Sequence, residues 1–238
     1  MPSPPRRTPG REQLSSLVSI SIGRIIVTDA SIAPLGYLFT QMAELKRIKR
    51  TGWLDRGLPP EVTESVADHS MLTTLIAWIT ASTDPDLDAE RVLKLALVHD
   101  LTEAVFGDDP PYDRADVPLD DPEKLREFFS VRHLRTPANA AAKHAAEHTA
   151  ALELLALTPE PVRSEIASLW TEYDAQETPE ARFVKQVDRL EAFLQARVYA
   201  PDYPDVPAWG FTDMALKEID HPTLAALRDE KLDPQIRG

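Results

Sequence analysis

Val92-Leu93-Lys94-Leu95-Ala96-Leu97-Val98-His99-Asp100 is the stretch on which the fold turns. Its first seven residues read as buried helix, and its last two are polar side chains able to bind a metal. A buried carboxylate without a partner costs several kcal/mol. Two readings of the dipeptide stand: the helix ends there and both groups face water, or a divalent cation shared with the imidazole satisfies the carboxylate. Upstream, Asp88 is placed to cap the same helix, with Glu90 and Arg91 in its first turn. The helix is therefore expected over Asp88 to Asp100.

Outward from this segment the pattern stays helical. Apolar residues recur at helical spacing in Leu35 to Ile48 and in Val66 to Ala81, where Leu72, Leu75, Ile76 and Ile79 suggest one face. Leu101 to Phe106 adds a short turn. Helices are expected over Ala138 to Leu157, Pro161 to Asp174, Pro179 to Tyr199 and Thr212 to Glu230. Proline fits the first turn of two of them. Asp108 to Pro137 is rich in Pro, Asp and charge and reads as an irregular excursion. Residues 1–33 read as an N-terminal extension whose Leu17 to Val27 run fits a short strand or a helix, and 231–238 as a tail. Only 8 glycines, no internal repeat and no sustained strand alternation leave an all-α, single-domain reading.

The 238 residues are 43% hydrophobic and 27% charged, enough for one large core or two small ones. The net charge of −13 argues against a nucleic-acid partner, because the surface repels phosphate backbone. A small phosphorylated substrate remains compatible, since a metal and a few cations reverse the field inside a cleft. The absence of cysteine excludes disulfides, thiolate catalysis and Cys-ligated zinc. No run has the length of a membrane span and no signal-peptide core follows the N-terminal arginines, so the default location is the cytoplasm.

His69, His99 and Asp188 share one anomaly, a metal-competent group on or beside an apolar helix face. His69 lies three before Leu72 and seven before Ile76. His99 lies four after Leu95, and Asp188 borders the stripe of Phe183, Val187, Leu190 and Leu194. A lone histidine on such a face usually bonds a carbonyl. Three cases plus Asp100 favour a common inward site.

The order His69, His99-Asp100, Asp188 resembles the H…HD…D order of the HD-domain metal-dependent phosphohydrolases. Three longer blocks resemble the 5′-deoxynucleotidases within that group: Leu45-Lys46-Arg47-Ile48-Lys49-Arg50-Thr51-Gly52-Trp53, Glu64-Ser65-Val66-Ala67-Asp68-His69 and Leu95 through Glu103. The Glu-then-Gly-Asp pattern of Glu103 to Asp108 agrees, as do Leu169 to Tyr173 and Ala181 to Asp188. The resemblance covers residues 34–230 and implies an HD-domain helical bundle. It also implies one divalent cation held by His69, His99, Asp100 and Asp188. Two imidazoles and two carboxylates suit Co²⁺, Mn²⁺, Fe²⁺ or Mg²⁺ better than a closed zinc site.

For the remaining residues the resemblance is weighed against a plainer reading. It assigns Glu103 to positioning or deprotonating the attacking water, where the alternative is a surface glutamate. It associates Asp108 with the site, where the alternative is a turn aspartate after Gly107. Arg50 and Trp53 match a substrate-contacting pair, a fork for phosphate and a wall for the sugar or base. The alternative is a basic helix end and a core tryptophan. Lys185 either supports the phosphate or is solvated. His144 and His148, four apart, fit a second metal or the charged stretch of one-metal relatives, and one metal is expected. His133 and His221 carry no pattern.

Residues Asp113 to Pro137 are longer than the resemblance accounts for and could form a lid or reshape the pocket. The implied function is hydrolysis of the 5′-phosphate from (deoxy)ribonucleoside monophosphates by a homodimer. The alternatives are a triphosphohydrolase, a phosphatase of a modified nucleotide, and a non-catalytic nucleotide-binding protein.

Overall fold

The computed structural model describes residues 29–232, and the Leu17 to Val27 run lies outside them. Eleven helices and one 3-10 turn fill the described part. The only ladder contact there is an isolated bridge between Lys49 and Ser65. The all-α expectation therefore holds. No described helix is long and apolar enough to cross a membrane.

The bundle is built around α9 (Pro179–Tyr199). Thr178 caps it by accepting from the Ala181 N–H, and Pro179 opens it with a preset φ. Its buried face carries Phe183, Val184, Val187, Leu190 and Phe193. Against it pack α3 (Val66–Ala81), α4 (Ala89–Val98), α8 (Val162–Ala175), α10 (Trp209–Glu218) and α11 (Pro222–Lys231). An outer layer of α1 (Asp29–Glu44) and α7 (Pro137–Leu157) covers the short α5 (Glu103–Phe106).

Several expectations shift. The first helix begins at Asp29, so the end of the expected extension belongs to α1. The last expected helix is two, α10 and α11, because Pro222 restarts the chain after Ile219 leaves helical geometry. The inward face of α3 is Val66, His69, Thr73, Ala77 and Ala81. Small side chains on that line let α3 approach α4 and α9 closely, and Leu72 and Ile79 turn outward.

The excursion is not irregular throughout. It holds a 3-10 turn at Arg114–Asp116 and a two-turn helix α6 (Pro122–Phe128) capped by Asp121. It has its own apolar cluster of Tyr112, Val117 and Phe129. Asp55, buried below α2 (Thr51–Leu54), accepts from Tyr112 at 3.1 Å and Arg114 at 2.6 Å. The Arg56 guanidinium is clasped between the rings of Phe129 and Phe211, 3.9 and 4.3 Å from their centroids. The Gly210 N–H donates to Phe129 O at 3.0 Å, so the segment is bound to α2 and α10 at several points.

Candidate active site

Three helices deliver the four expected ligands. A reciprocal capping box fixes the start of α3: Ser65 Oγ accepts from the Asp68 N–H, and Asp68 Oδ2 accepts from the Ser65 N–H. That sets the register of His69, which has no exposed surface. His99 ends α4 and Asp100 follows in the turn before α5. Asp188 lies midway along α9.

The side chains converge. His69 Nε2 lies 3.2 Å from Asp188 Oδ1 and 3.6 Å from Asp100 Oδ2, and His99 Nε2 is 3.2 Å from the same Asp100 oxygen. Each imidazole is held from behind through Nδ1, His69 by the Glu191 carboxylate and His99 by Ala96 O at 2.7 Å. In the neutral tautomers that carry their proton on Nδ1, both Nε2 lone pairs face the two aspartates. Neither Nε2 has a hydrogen-bond partner, although both are buried. Burial and the Arg50 charge oppose protonation of His69, yet Glu191 and Asp188 lift it to about 10. The centre therefore draws positive charge, and its donor set fits one divalent cation.

A cavity of about 180 Å³ opens onto this cluster, lined by five acidic and five basic side chains. The formal charges of that lining cancel, whereas the chain carries −13. Arg50 reaches Asp108 Oδ1 at 3.1 Å and Asp100 Oδ2 at 3.4 Å. Asp108 spends its other oxygen on the Thr51 N–H at 2.6 Å, while its carbonyl accepts from the Thr51 hydroxyl. It thus fixes Arg50, and Gly107 at φ 88° turns the chain to bring it there. Glu103 is buried and lines the cavity with Oε2 unpartnered. Burial, then the Asp100 and Asp108 charges, push its carboxyl well above the ordinary range.

Lys185 bonds Asp188 Oδ2 at 2.9 Å and the Tyr173 oxygen at 3.2 Å, and it also lines the cavity. Trp53 is 2% exposed and packs on Tyr199 and Phe211. Its indole N–H donates to Glu64 at 2.8 Å, so it is a core side chain with only an edge on the cavity. His144 and His148 are exposed and both face α8: His144 lies 3.3 Å from Asp174, and His148 beside Trp170. His133 stacks on Phe128 and His221 bonds Asp84, both away from the cavity lining.

Sequence reasoning passed over Glu191, Tyr173, Arg132 and Arg189. Glu191 had a usable signal, a charge three residues after Asp188 in the same apolar stripe. The two arginines had none, because only the folded chain brings them to the cavity.

Residues 42–215 match the HD domain family. The chain is 34% identical over 191 residues to 5′-deoxynucleotidase HDDC2 of Mus musculus, covering 79% of this chain and 82% of that protein. It is 30% identical over 181 residues to 5′-deoxynucleotidase hdd1 of Schizosaccharomyces pombe, covering 76% and 80%. Among solved structures, a conserved hypothetical protein from Pyrococcus furiosus superposes with a TM-score of 0.56 at 28% identity, over 82% of this chain and 97% of that one.

Proposed function

The chain belongs to the HD domain family, and from that premise we propose that it is a metal-dependent 5′-deoxynucleotidase, releasing phosphate and a nucleoside from a deoxyribonucleoside 5′-monophosphate. One observation carries the reading. Two buried imidazole nitrogens without partners meet two aspartates at the floor of a cavity that also holds Arg50 and Glu103. His69, His99, Asp100 and Asp188 would hold the cation. A bound Co²⁺, Mn²⁺, Fe²⁺ or Mg²⁺ supplies a Lewis acid for the phosphoryl oxygens and makes water more acidic.

The chain's own groups account for the rest. Arg50, held by Asp108, offers guanidinium N–H donors to the phosphate as negative charge shifts onto it. Glu103, with its raised carboxyl pKa, takes the proton of the attacking water. The water oxygen bonds phosphorus, the bond from phosphorus to the 5′ oxygen breaks, and the departing oxygen takes the proton that Glu103 removed from water, becoming the alcohol. Lys185 holds Asp188 in place through Oδ2 and leaves Oδ1 turned to His69. The edge of Trp53 walls the sugar side of the cavity. The docked excursion reshapes the pocket as a fixed wall.

The same reading has the enzyme act in the cytoplasm as a homodimer. Met71, Leu72, Trp78 and Ile79 leave an apolar stripe of α3 exposed, and light scattering should give twice the chain mass. The deciding experiment is a phosphate-release screen over nucleoside mono-, di- and triphosphates with Co²⁺, Mn²⁺ and Mg²⁺. Orthophosphate from 5′-monophosphates is expected. Release of triphosphate, or no hydrolysis with any metal, overturns the reading.

A further inference from the structure

Two cations of the cavity lining take no part in this hydrolysis. Arg132, from the chain between α6 and α7, and Arg189, one residue past Asp188, both line it. Their guanidinium groups meet on a single carboxylate, Glu218 of α10. Arg189 Nη2 lies 2.9 Å from Oε2, and Arg132 Nη1 contacts Oε1. Both Nε atoms are buried and reach no acceptor among the described residues. Asp213, which accepts from the Arg132 backbone N–H, is itself paired with Lys217 at 2.8 Å.

The two guanidinium groups share one carboxylate as direct partner, and confining like charges is unfavourable unless something answers them. Burial and the Arg189 charge bring the Arg132 guanidinium down to about 10, against the opposing fields of Asp188 and Asp213. The Asp188 field at Arg132 also places the pair within electrostatic reach of the hydrolytic centre. A guanidinium presents five N–H donors in a planar fork, and the Glu218 carboxylate engages few of the ten available.

We propose that Arg132 and Arg189 form an anion subsite beside the hydrolytic centre, which takes a second phosphoryl group carried by the nucleotide. The inference rests on the nucleotidase reading for the first phosphate. Glu218 is the resident counter-ion: it keeps the two forks aligned in the free enzyme and gives way to the ligand. A dianionic phosphate outcompetes a single carboxylate for two guanidinium groups through bidentate bonds to each. The second phosphate has two sources in a nucleotide, the β position of a 5′-diphosphate and the 3′ oxygen of a 3′,5′-bisphosphate.

Calorimetry separates these cases on metal-loaded protein whose turnover is suppressed by Glu103→Gln. The probes are deoxyadenosine 5′-monophosphate, 5′-diphosphate and 3′,5′-bisphosphate. One of the doubly phosphorylated probes should bind at least about tenfold tighter than the monophosphate, the scale of one charge-assisted contact. Adding Arg132→Gln or Arg189→Gln should erase that ratio, and the preferred probe identifies the position of the second phosphate. Adding Glu218→Gln should enlarge the ratio by freeing both forks, whereas a purely cross-linking trio would only lose thermal stability. Equal binding of all three probes overturns the subsite. So does a preference that survives both arginine variants, or one that Glu218→Gln diminishes. The nucleotidase reading is judged separately, by wild-type phosphate release from the monophosphate.

Discussion

His69 is gripped from both ends of its ring, by Glu191 at Nδ1 and by the two aspartates near Nε2. Removing Asp188 takes away one of the four proposed cation ligands. Asp188→Ala should lower bound metal and phosphate release by at least the roughly 10- to 100-fold that losing an outer partner costs. Elemental analysis and phosphate assay check it, and full metal content with full activity would remove Asp188 from the site. Glu191→Gln keeps the shape but removes the charge behind His69. Metal affinity, titrated by calorimetry, should weaken about tenfold while the protein stays folded. His69, His99 and Asp188 stood out in the sequence as polar groups on or beside apolar faces, a conflict that demands a partner, and the fold brings them together with Asp100. Asp108 was legible as a site residue, but its bonds to Arg50 and Thr51 were not. They join residues far apart in sequence, which no local pattern encodes.

Helix positions follow local chemistry, and so most were readable in advance. Asp88 is the cap it was expected to be, and α3 and α9 match their expected spans. The two turns of α6 are too short for periodicity to register. Docking of that segment depends on Gly210, where an added Cβ would lie 3.0 Å from Phe129 O and 3.1 Å from Val131 O. Gly210→Ala should cost about 1–3 kcal/mol in urea unfolding, because backbone must move to admit it. A second tie joins α4, α8 and α9: the Glu172 carboxylate accepts from Arg91 Nε at 2.8 Å and from Thr178 at 2.7 Å. Burial opposes its ionisation, yet the Arg91 and Thr178 bonds hold its pKa below the ordinary 4.5. The unfolded chain then binds the proton first as pH falls, so this contribution is present above about 4.5 and is lost in acid. Glu172→Gln should flatten the acid side of the stability profile below that value. An unchanged slope would show that the tie carries no linkage.

At the scale of the whole molecule, an acidic chain encloses a cavity whose lining carries equal numbers of acidic and basic side chains, and a bound divalent cation would tip it positive. Because the unfolded chain holds no such site, cation binding stabilises the fold. At a hundredfold excess over the dissociation constant the gain is about 2.7 kcal/mol, or roughly 5–10 °C in melting temperature for a chain of this size. Differential scanning fluorimetry with Mn²⁺ and then with chelator checks the rise and its reversal. Composition made the all-helical class legible, but it held no record of which surface closes the pocket. The segment that does so has its own small core in Tyr112, Val117 and Phe129, and meets the bundle through Arg56, Asp55 and Gly210. The proposed cation ligands stand elsewhere, on α3, on α9 and at the end of α4. A lineage can therefore rewrite the segment's cavity-facing residues and change its diet of nucleotides while inheriting the reaction intact.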